Sequence, residues 1–223
     1  MGLGHPAFVD NPEARCPVVL MLDTSKSMAG APIEELVAGV AAFRDDVRKD
    51  DIAALRVEVA IVSFGGAMRV AQDFVTIDQF EPPVLAAAGD TPMGAAIDCA
   101  LDLIEKRKAL YRENGIPYYR PWAFLITDGE PTDGQRWEIA ARRVHAAETD
   151  RKLTFFAVGV GDANMDILGC ITPPSRPPLM LERLRFRKLF EWLSTSLKRV
   201  SSGRVGGEMV ALPPVESWAR TGT

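Results

Sequence analysis

The chain has 223 residues, of which 47% are hydrophobic and 25% are charged, which is the balance of an ordinary globular protein rather than a disordered or fibrous one. Its 26 basic and 30 acidic side chains give a formal net charge of −4. Because no basic excess is present to neutralise phosphates, nucleic acid is not expected as a partner. No apolar run approaches the roughly 20 residues that span a bilayer, so no membrane association is expected.

Cysteine and histidine usage excludes further kinds of site. The three cysteines, Cys16, Cys99 and Cys170, are odd in number and far apart, which fits neither a disulfide framework nor zinc spacing. We therefore expect a reducing, cytoplasmic location, and the first residues show no charged segment followed by an apolar one, as a secretory signal would. With only His5 and His145 present, a histidine-based metal site or a Ser-His-Asp triad is not expected.

Strand-like and helix-like segments alternate along the chain. The apolar run 16–23 is typical of a strand covered on both faces, whereas 32–50 has the apolar spacing of an amphipathic helix. Gly65 and Gly66 indicate a hairpin turn into an antiparallel edge strand. The further strands are predicted at 55–66, 68–77, 120–129, 153–160 and 177–182. The further helices are predicted at 91–111, 135–150, 163–170 and 185–200.

This alternation predicts an α/β fold, a doubly wound and mostly parallel six-stranded sheet with one antiparallel edge strand, flanked by helices. Residues 1–200 are predicted to form one domain. Residues 201–223 are rich in Gly and Ser and then in Pro, so we expect a tail outside the core, with Trp218 docked on its own domain. Binding sites in such sheets lie beyond the carboxyl ends of the strands, where the strand order reverses.

Three predicted loops carry oxygen-bearing side chains to that edge: DTSKS (23–27), GDTPMG (89–94) and TDGEPTD (127–133). If strands 16–23 and 120–127 are neighbours, Asp23 and Asp128 face each other, and Thr91 reaches the same point. Carboxylates and hydroxyls without nitrogen or sulfur ligands suit a hard divalent cation such as Mg²⁺. Such a cation also relieves the repulsion between two close carboxylates.

The series Asp23-x-Ser25-x-Ser27, Thr91 and Asp128-Gly129 resembles the metal-ion-dependent adhesion site of von Willebrand factor A (VWA) domains. The resemblance extends from about residue 16 to residue 200. Within that Rossmann-like superfamily, MLDTSKSMAGAPIEEL, GDTPMGAAI, LITDGEPTD and LFEWLSTSLKRVS are most similar to the bacterial TerY-type proteins of tellurium-resistance and stress-response gene clusters.

The resemblance implies a binding module without catalytic activity. Its Mg²⁺ (or Mn²⁺ or Ca²⁺) would lack one protein ligand, which an Asp or Glu of a protein partner supplies. Ser25 and Ser27 would be direct ligands, Asp23 and Asp128 would neutralise the ion, and Thr91 would alternate between direct and water-mediated contact. TerY-type proteins further imply a kinase-like protein or a PP2C-type phosphatase as partner.

Other interpretations of the same residues stay open at this point. Asp23 could be the nucleophile of a Mg²⁺-dependent phosphohydrolase, although position 25 then lacks the acidic residue of an Asp-x-Asp pair. The chain could also be a metal-independent scaffold that binds partners through its tail. Thr91 before Pro92 is also typical of a helix cap. Asp133 is expected to be a cap as well. Glu130 and Lys26 are expected at the solvent-facing rim of the site. At position 26 the family usually has a small residue instead of lysine.

Overall fold

The computed structural model describes residue 8 and residues 10–206 and 211–221, and His5 lies outside these residues. The strands are β1 (Cys16–Asp23), β2 (Val57–Gly65), β3 (Ala67–Thr76), β4 (Trp122–Thr127), β5 (Thr154–Gly159), β6 (Leu179–Leu181) and β7 (Ala219–Thr221). From residue 10 onward, the α-helices of the described ranges are α1 (Ala31–Val47), α2 (Asp51–Arg56), α3 (Met93–Glu113), α4 (Arg136–Thr149), α5 (Met165–Ile171) and α6 (Phe186–Ser202), and a 3-10 helix spans Lys26–Met28. The predicted α/β fold is confirmed, with every predicted helix and strand present.

In the part of the chain that the structure describes, seven strands form one sheet in the order β3-β2-β1-β4-β5-β6-β7. Strands β2, β1, β4, β5 and β6 are parallel, and the antiparallel strands β3 and β7 are the two edges. The condition on which the predicted site depends is met, because β1 and β4 are neighbours, with Leu22 opposite Ile126. The carboxyl ends of these strands therefore meet at one edge, and the strand order reverses between β1 and β4.

Both faces of the sheet are covered, which explains the nearly continuous apolar run of β1. Val18, Leu20 and Leu22 face a core that includes side chains of α1 and α6. Val19 and Met21 face the opposite core, built with α3, α4 and α5. Alternate residues of one strand thus enter two different cores, so neither face tolerates a polar residue until Asp23 ends the strand.

The C-terminal segment, residues 211–221, differs from the prediction. The sequence predicts six strands and a tail outside the core, and both predictions are wrong. Residues 219–221 add β7 antiparallel to β6, so the sheet has seven strands and antiparallel strands at both edges. Trp218 is 0% exposed, and its ring lies 5.5 Å from that of Trp192 on α6. The indole N–H of Trp192 in turn donates to the carbonyl of Pro213 at 2.8 Å. The expectation that Trp218 docks on its own domain is confirmed.

A short helix, α2, lies between α1 and β2. The sequence predicts neither helix nor strand at 51–54 and a strand from residue 55. The side chain of Asp50 accepts hydrogen bonds from the backbone N–H groups of Ile52 and Ala53, which caps the first turn. The predicted strand starting at residue 55 consequently begins two residues later, at Val57. Within the described residues, no helix is long and apolar enough to cross a membrane.

Candidate metal centre

The first wall of the site is the loop that follows β1. Asp23 is 0% exposed, and its Oδ1 accepts a hydrogen bond of 2.8 Å from the backbone N–H of Ser25. Its Oδ2 accepts a 2.5 Å hydrogen bond from the hydroxyl of Thr127, the last residue of β4. Both carboxylate oxygens of Asp23 therefore have fixed positions. Thr127 has no part in the predicted site, although its place at the end of a neighbouring buried strand is a signal for it.

The serine hydroxyls connect this loop to the end of β4. The Oγ atoms of Ser25 and Ser27 lie 3.0 Å apart, and Ser27 donates to Oδ1 of Asp128 at 2.8 Å. Because the Ser27 proton is engaged by Asp128, Ser25 must be the donor in the contact between the two hydroxyls. The lone pairs of Ser25 consequently have no hydrogen-bond donor in this chain of contacts and can face a cation.

Thr91 enters from the loop before α3. It is 5% exposed, and it forms a two-way bridge with Thr132: the Thr91 N–H donates to the Thr132 hydroxyl at 3.0 Å, and the Thr132 N–H donates to the Thr91 carbonyl at 2.9 Å. This bridge connects the loop of Thr91 to the loop of Asp128. Thr132 is not among the predicted site residues, because only the folded loop shows that it holds Thr91.

Gly129 leaves the space into which these oxygens point. A Cβ at this position would lie 3.0 Å from Oγ1 of Thr91 and 3.7 Å from Oδ2 of Asp23. Two of the candidate ligand atoms therefore lie within contact distance of one point beside Gly129. A side chain there would occupy space between the candidate ligands, which explains why position 129 is a glycine.

Backbone contacts hold the loops together. The carbonyl of Thr24 accepts from the N–H of Ala88 at 2.8 Å, and the Lys26 N–H donates to the carbonyl of Gly89 at 2.9 Å. Gly89 has φ +68°, and a Cβ on it would lie 2.4 Å from the Cα of Gly66 in the β-hairpin. The loop of Thr91 therefore packs between the loop after β1 and the turn between β2 and β3, and the contact with that turn leaves room only for glycine at position 89.

The structure distinguishes capping residues from site residues. The side chain of Thr91 makes no cap for α3, whose first flanking residue is Pro92. Oδ2 of Asp133 instead accepts a 2.8 Å hydrogen bond from the N–H of Ala95, so Asp133 is a cap, as predicted, but of α3 rather than of the helix that follows it. The expected rim residues Lys26 and Glu130 are exposed, as predicted.

Without a cation, the site disfavours the ionised forms of Asp23 and Asp128. Burial raises the pKa of Asp23, and the charge of Asp128 adds to the rise, while hydrogen bonds from Ser25 and Thr127 work against it. Burial also raises the pKa of Asp128, which the hydroxyl of Ser27 partly offsets. A bound cation would favour the ionised form of both groups and so remove this cost.

The residues present fit a hard divalent cation. The structure brings all five predicted residues together, and every candidate donor is an oxygen, as Mg²⁺, Mn²⁺ and Ca²⁺ prefer. Among the described residues, no group of three or more His, Cys, Asp or Glu side chains could hold a metal ion. A metal at this site thus depends on hydroxyl ligands. The predicted ligands are Asp23, Ser25, Ser27, Thr91 and Asp128.

Solved structures with the same fold include a von Willebrand factor type A protein from Catenulispora acidiphila, with a TM-score of 0.61, 16% identity, and coverage of 83% of this chain and 43% of that one. The proximal thread matrix protein 1 of the mussel byssus, described with a zinc-occupied MIDAS motif, has a TM-score of 0.53 and 14% identity, covering 86% of this chain and 46% of that one. The manganese-loaded TRAP protein of Plasmodium vivax has a TM-score of 0.50 and 18% identity, covering 79% of this chain and 73% of that one.

This chain spans less than half the length of the Catenulispora and mussel proteins. No curated protein matches it. The sequence model of the von Willebrand factor type A domain matches residues 18–180, which include all of the candidate ligands and most of the sheet. The chain therefore belongs to the von Willebrand factor type A domain family.

Proposed function

We propose that this VWA domain is a protein-interaction module that binds its partner through a divalent cation. The observation that carries the proposal is the convergence of five oxygen-bearing side chains from three loops, connected by the Ser25–Ser27–Asp128 hydrogen bonds. The mussel and Plasmodium proteins, described with zinc and manganese, support a divalent ion. Mg²⁺ is our choice because the donors here are hard oxygens.

Each side chain has a separate role in this proposal. Ser25 and Ser27 contribute hydroxyl oxygens, and Asp23 and Asp128 supply the negative charge. Thr91 contacts the ion directly or through water. When bound, the cation supplies a coordination position for a carboxylate of the partner, an Asp or a Glu. The bridge from Thr132 holds Thr91 in place, and the Thr127 hydroxyl fixes the orientation of the Asp23 carboxylate.

The geometry favours binding over phosphoester hydrolysis. A nucleophilic Asp23 would need a free carboxylate oxygen, but its two oxygens accept hydrogen bonds from Ser25 and Thr127 and the residue is 0% exposed. Position 25 holds a serine, so no second acidic residue is present there to act as general acid. We therefore propose that the domain is not an enzyme.

The tail-bound scaffold is the weaker alternative because Trp218, its most plausible anchor, is buried in its own domain. The cytoplasmic location stays a prediction from cysteine usage. Three points stay predictions from the resemblance: the TerY-type assignment, the tellurium-resistance context, and a kinase-like or PP2C-type phosphatase partner. They extend the proposal to a stress-response system and supply a first set of partners to test.

Thermal unfolding of the whole chain in Mg²⁺, in Mn²⁺ and in EDTA tests the metal claim. At a metal concentration of about 100 times Kd, linkage stabilises the folded state by about 2.7 kcal/mol, which raises Tm by roughly 5 to 10 °C. Asp128→Ala should lose this rise, whereas Glu130→Ala, an exposed acidic neighbour, should keep it. Wild-type protein whose Tm does not respond to millimolar metal would refute the proposal.

Metal-dependent capture then tests the interaction. Immobilised wild-type protein should retain a partner in Mg²⁺ and release it in EDTA, and Ser27→Ala should retain little. Ser27 is chosen because it lies in the middle of the hydrogen-bonded chain and carries no charge, so its loss changes ligation more than net charge. Equal retention by Ser27→Ala and wild type in Mg²⁺ would contradict a metal-mediated contact.

A further inference from the structure

A second cleft lies on the same edge of the sheet as the candidate metal centre. It has a volume of about 710 Å³ and is lined by residues that follow β5, by residues of β6 and of the turn after it, and by residues of β7. Three arginines contribute to its lining: Arg183, Arg185 and Arg220. The cleft exists in this form only because the C-terminal segment returns to the sheet and supplies Arg220.

The cleft is locally basic on a chain whose net charge is −4. Among the described residues that line it, Glu182 is the one acidic residue, and it pairs with Arg185 at 3.2 Å and with Arg220 at 2.6 Å. Within the described part of the chain, no ion pair engages Arg183. Three positive charges against one negative charge leave an excess of two in the described lining. The two ion pairs of Glu182 show that the guanidinium groups of Arg185 and Arg220 are placed to hold a carboxylate.

The backbone of the cleft is unusual. Arg183 and Leu184 are consecutive non-glycine residues with φ +48° and +54°, a conformation that costs roughly 1–2 kcal/mol per residue. The C-terminal segment holds this turn, because the Glu182 N–H donates to the carbonyl of Trp218 at 2.9 Å and the Arg185 side chain donates to the carbonyl of Ser217 at 3.0 Å. The turn brings Glu182, Arg183 and Arg185 to one cleft.

The distance to the metal centre follows from the sheet. Asp128 follows β4, and β5 alone separates β4 from β6, so two strand spacings, about 10 Å, separate the site from the nearer wall of the cleft. A third spacing, to Arg220 on β7, makes about 14 Å. A hydrogen bond of 2.8 Å from Asn164 to Glu130 connects the loop of Asp128 to the residue that precedes Met165, which lines the cleft.

We propose that the arginine cleft binds a second acidic side chain of the same partner whose first carboxylate completes the metal site, an inference that rests on the proposed function. An extended chain advances about 3.3 Å per residue, so the two acidic residues are separated by about three or four positions. Met165, Met180 and Leu184 add an apolar part to the lining, which favours an apolar residue next to the second acid. Specificity for this partner segment then comes from the spacing as well as from the metal.

Two synthetic peptides provide the test with the whole chain. One carries two glutamates four positions apart with a leucine beside the second, and the other has glutamine in place of that second glutamate. Fluorescence anisotropy in Mg²⁺ measures both affinities. For wild type, we expect the second glutamate to tighten binding about tenfold, because it adds a charge-assisted contact at high effective concentration. Undetectable binding of the two-glutamate peptide, or no gain from it, would overturn the inference.

Matched variants assign the gain to the cleft. Arg183→Ala combined with Arg220→Ala should abolish the tenfold gain. Arg187→Ala should retain it, because Arg187 does not line the cleft and its side chain is 79% exposed, the same fraction as that of Arg220. A gain that survives in the double variant, or that Arg187→Ala removes equally, contradicts the proposal. Circular dichroism melts establish that all three proteins are folded.

The same assay in EDTA separates the two proposals. If the metal-dependent function fails, each peptide has the same affinity in Mg²⁺ as in EDTA, and Asp128→Ala leaves both affinities unchanged. If only the cleft fails, the one-glutamate peptide still requires metal while the second glutamate adds no affinity. The supporting result is metal-dependent binding of both peptides together with a gain that follows the two arginines.

Discussion

Replacement of Trp218 tests whether the C-terminal segment is part of the folded domain. The side chain is 0% exposed, and its ring lies 5.5 Å from Trp192 on α6. Truncation of a buried aromatic side chain to alanine costs about 3–5 kcal/mol. The indole N–H of Trp218 is buried and has no hydrogen-bond partner among the described residues, which reduces the stabilisation that this side chain provides. We therefore expect Trp218→Ala to lose about 3 kcal/mol, at the lower end of that range.

For a domain of this size, such a loss lowers Tm by roughly 10 °C. Thermal unfolding followed by circular dichroism, with urea unfolding as a second measure of free energy, gives the value. Trp218→Phe should cost no more than about 1 kcal/mol, because it keeps an aromatic ring and removes the unpaired donor. The difference between the two variants separates packing from the polar group.

Val205→Ala is the control, since Val205 also follows α6 but is 40% exposed. This substitution should change the free energy of unfolding by less than about 0.5 kcal/mol. If Trp218→Ala behaves like Val205→Ala, the segment does not contribute to the core and the reasoning is refuted. If Trp218→Phe costs as much as Trp218→Ala, the attribution to ring packing is wrong.

Two further predictions concern the candidate metal centre. Burial raises the folded-state pKa of Asp23 above its ordinary value of 3.8, so in EDTA the folded state loses stability as pH rises from about 4 through that raised pKa. Asp23→Asn should therefore raise Tm in EDTA at neutral pH and flatten its pH dependence, and a lower Tm there would contradict this sign. Gly129→Ala should weaken metal binding about tenfold in calorimetric titration, because its Cβ would lie 3.0 Å from Oγ1 of Thr91. Gly169→Ala is the control, since among the described residues a Cβ there meets nothing within 4 Å. An equal effect of both substitutions would contradict the role given to Gly129.

The sequence was sufficient to predict the elements that bury both faces. β1 and β4 are nearly continuous apolar runs because each faces two cores, and such runs are visible without any knowledge of neighbours. Their carboxyl ends follow directly from the sequence. The closeness of Asp23 and Asp128 further requires that β1 and β4 are neighbours, which the apolar runs alone do not establish and the structure shows. The strands that bring Asp23 and Asp128 together, β1 and β4, are therefore the elements that sequence patterns predict best.

Other features depend on contacts between distant residues and leave little local pattern. β7 has only three residues, and it forms because Trp218 anchors the segment and pairs it with β6. Thr132 is a loop residue whose two hydrogen bonds to Thr91 exist only after both loops have folded. The helix α2 did have a signal, the capping side chain of Asp50, but the neighbouring apolar run of β2 obscured it.

The pairing of β6 with β7 is the feature on which the spacing of the two proposed binding sites depends. Met180 is opposite Arg220 in this pair, and both line the arginine cleft. A slip of one residue would turn Arg220 to the other face of the sheet, because side chains alternate along a strand. Trp218 prevents such a slip, since its burial against Trp192 fixes where the strand begins. The buried tryptophan thereby sets the position of Arg220, and with it the distance between the acidic side chains that a partner must present.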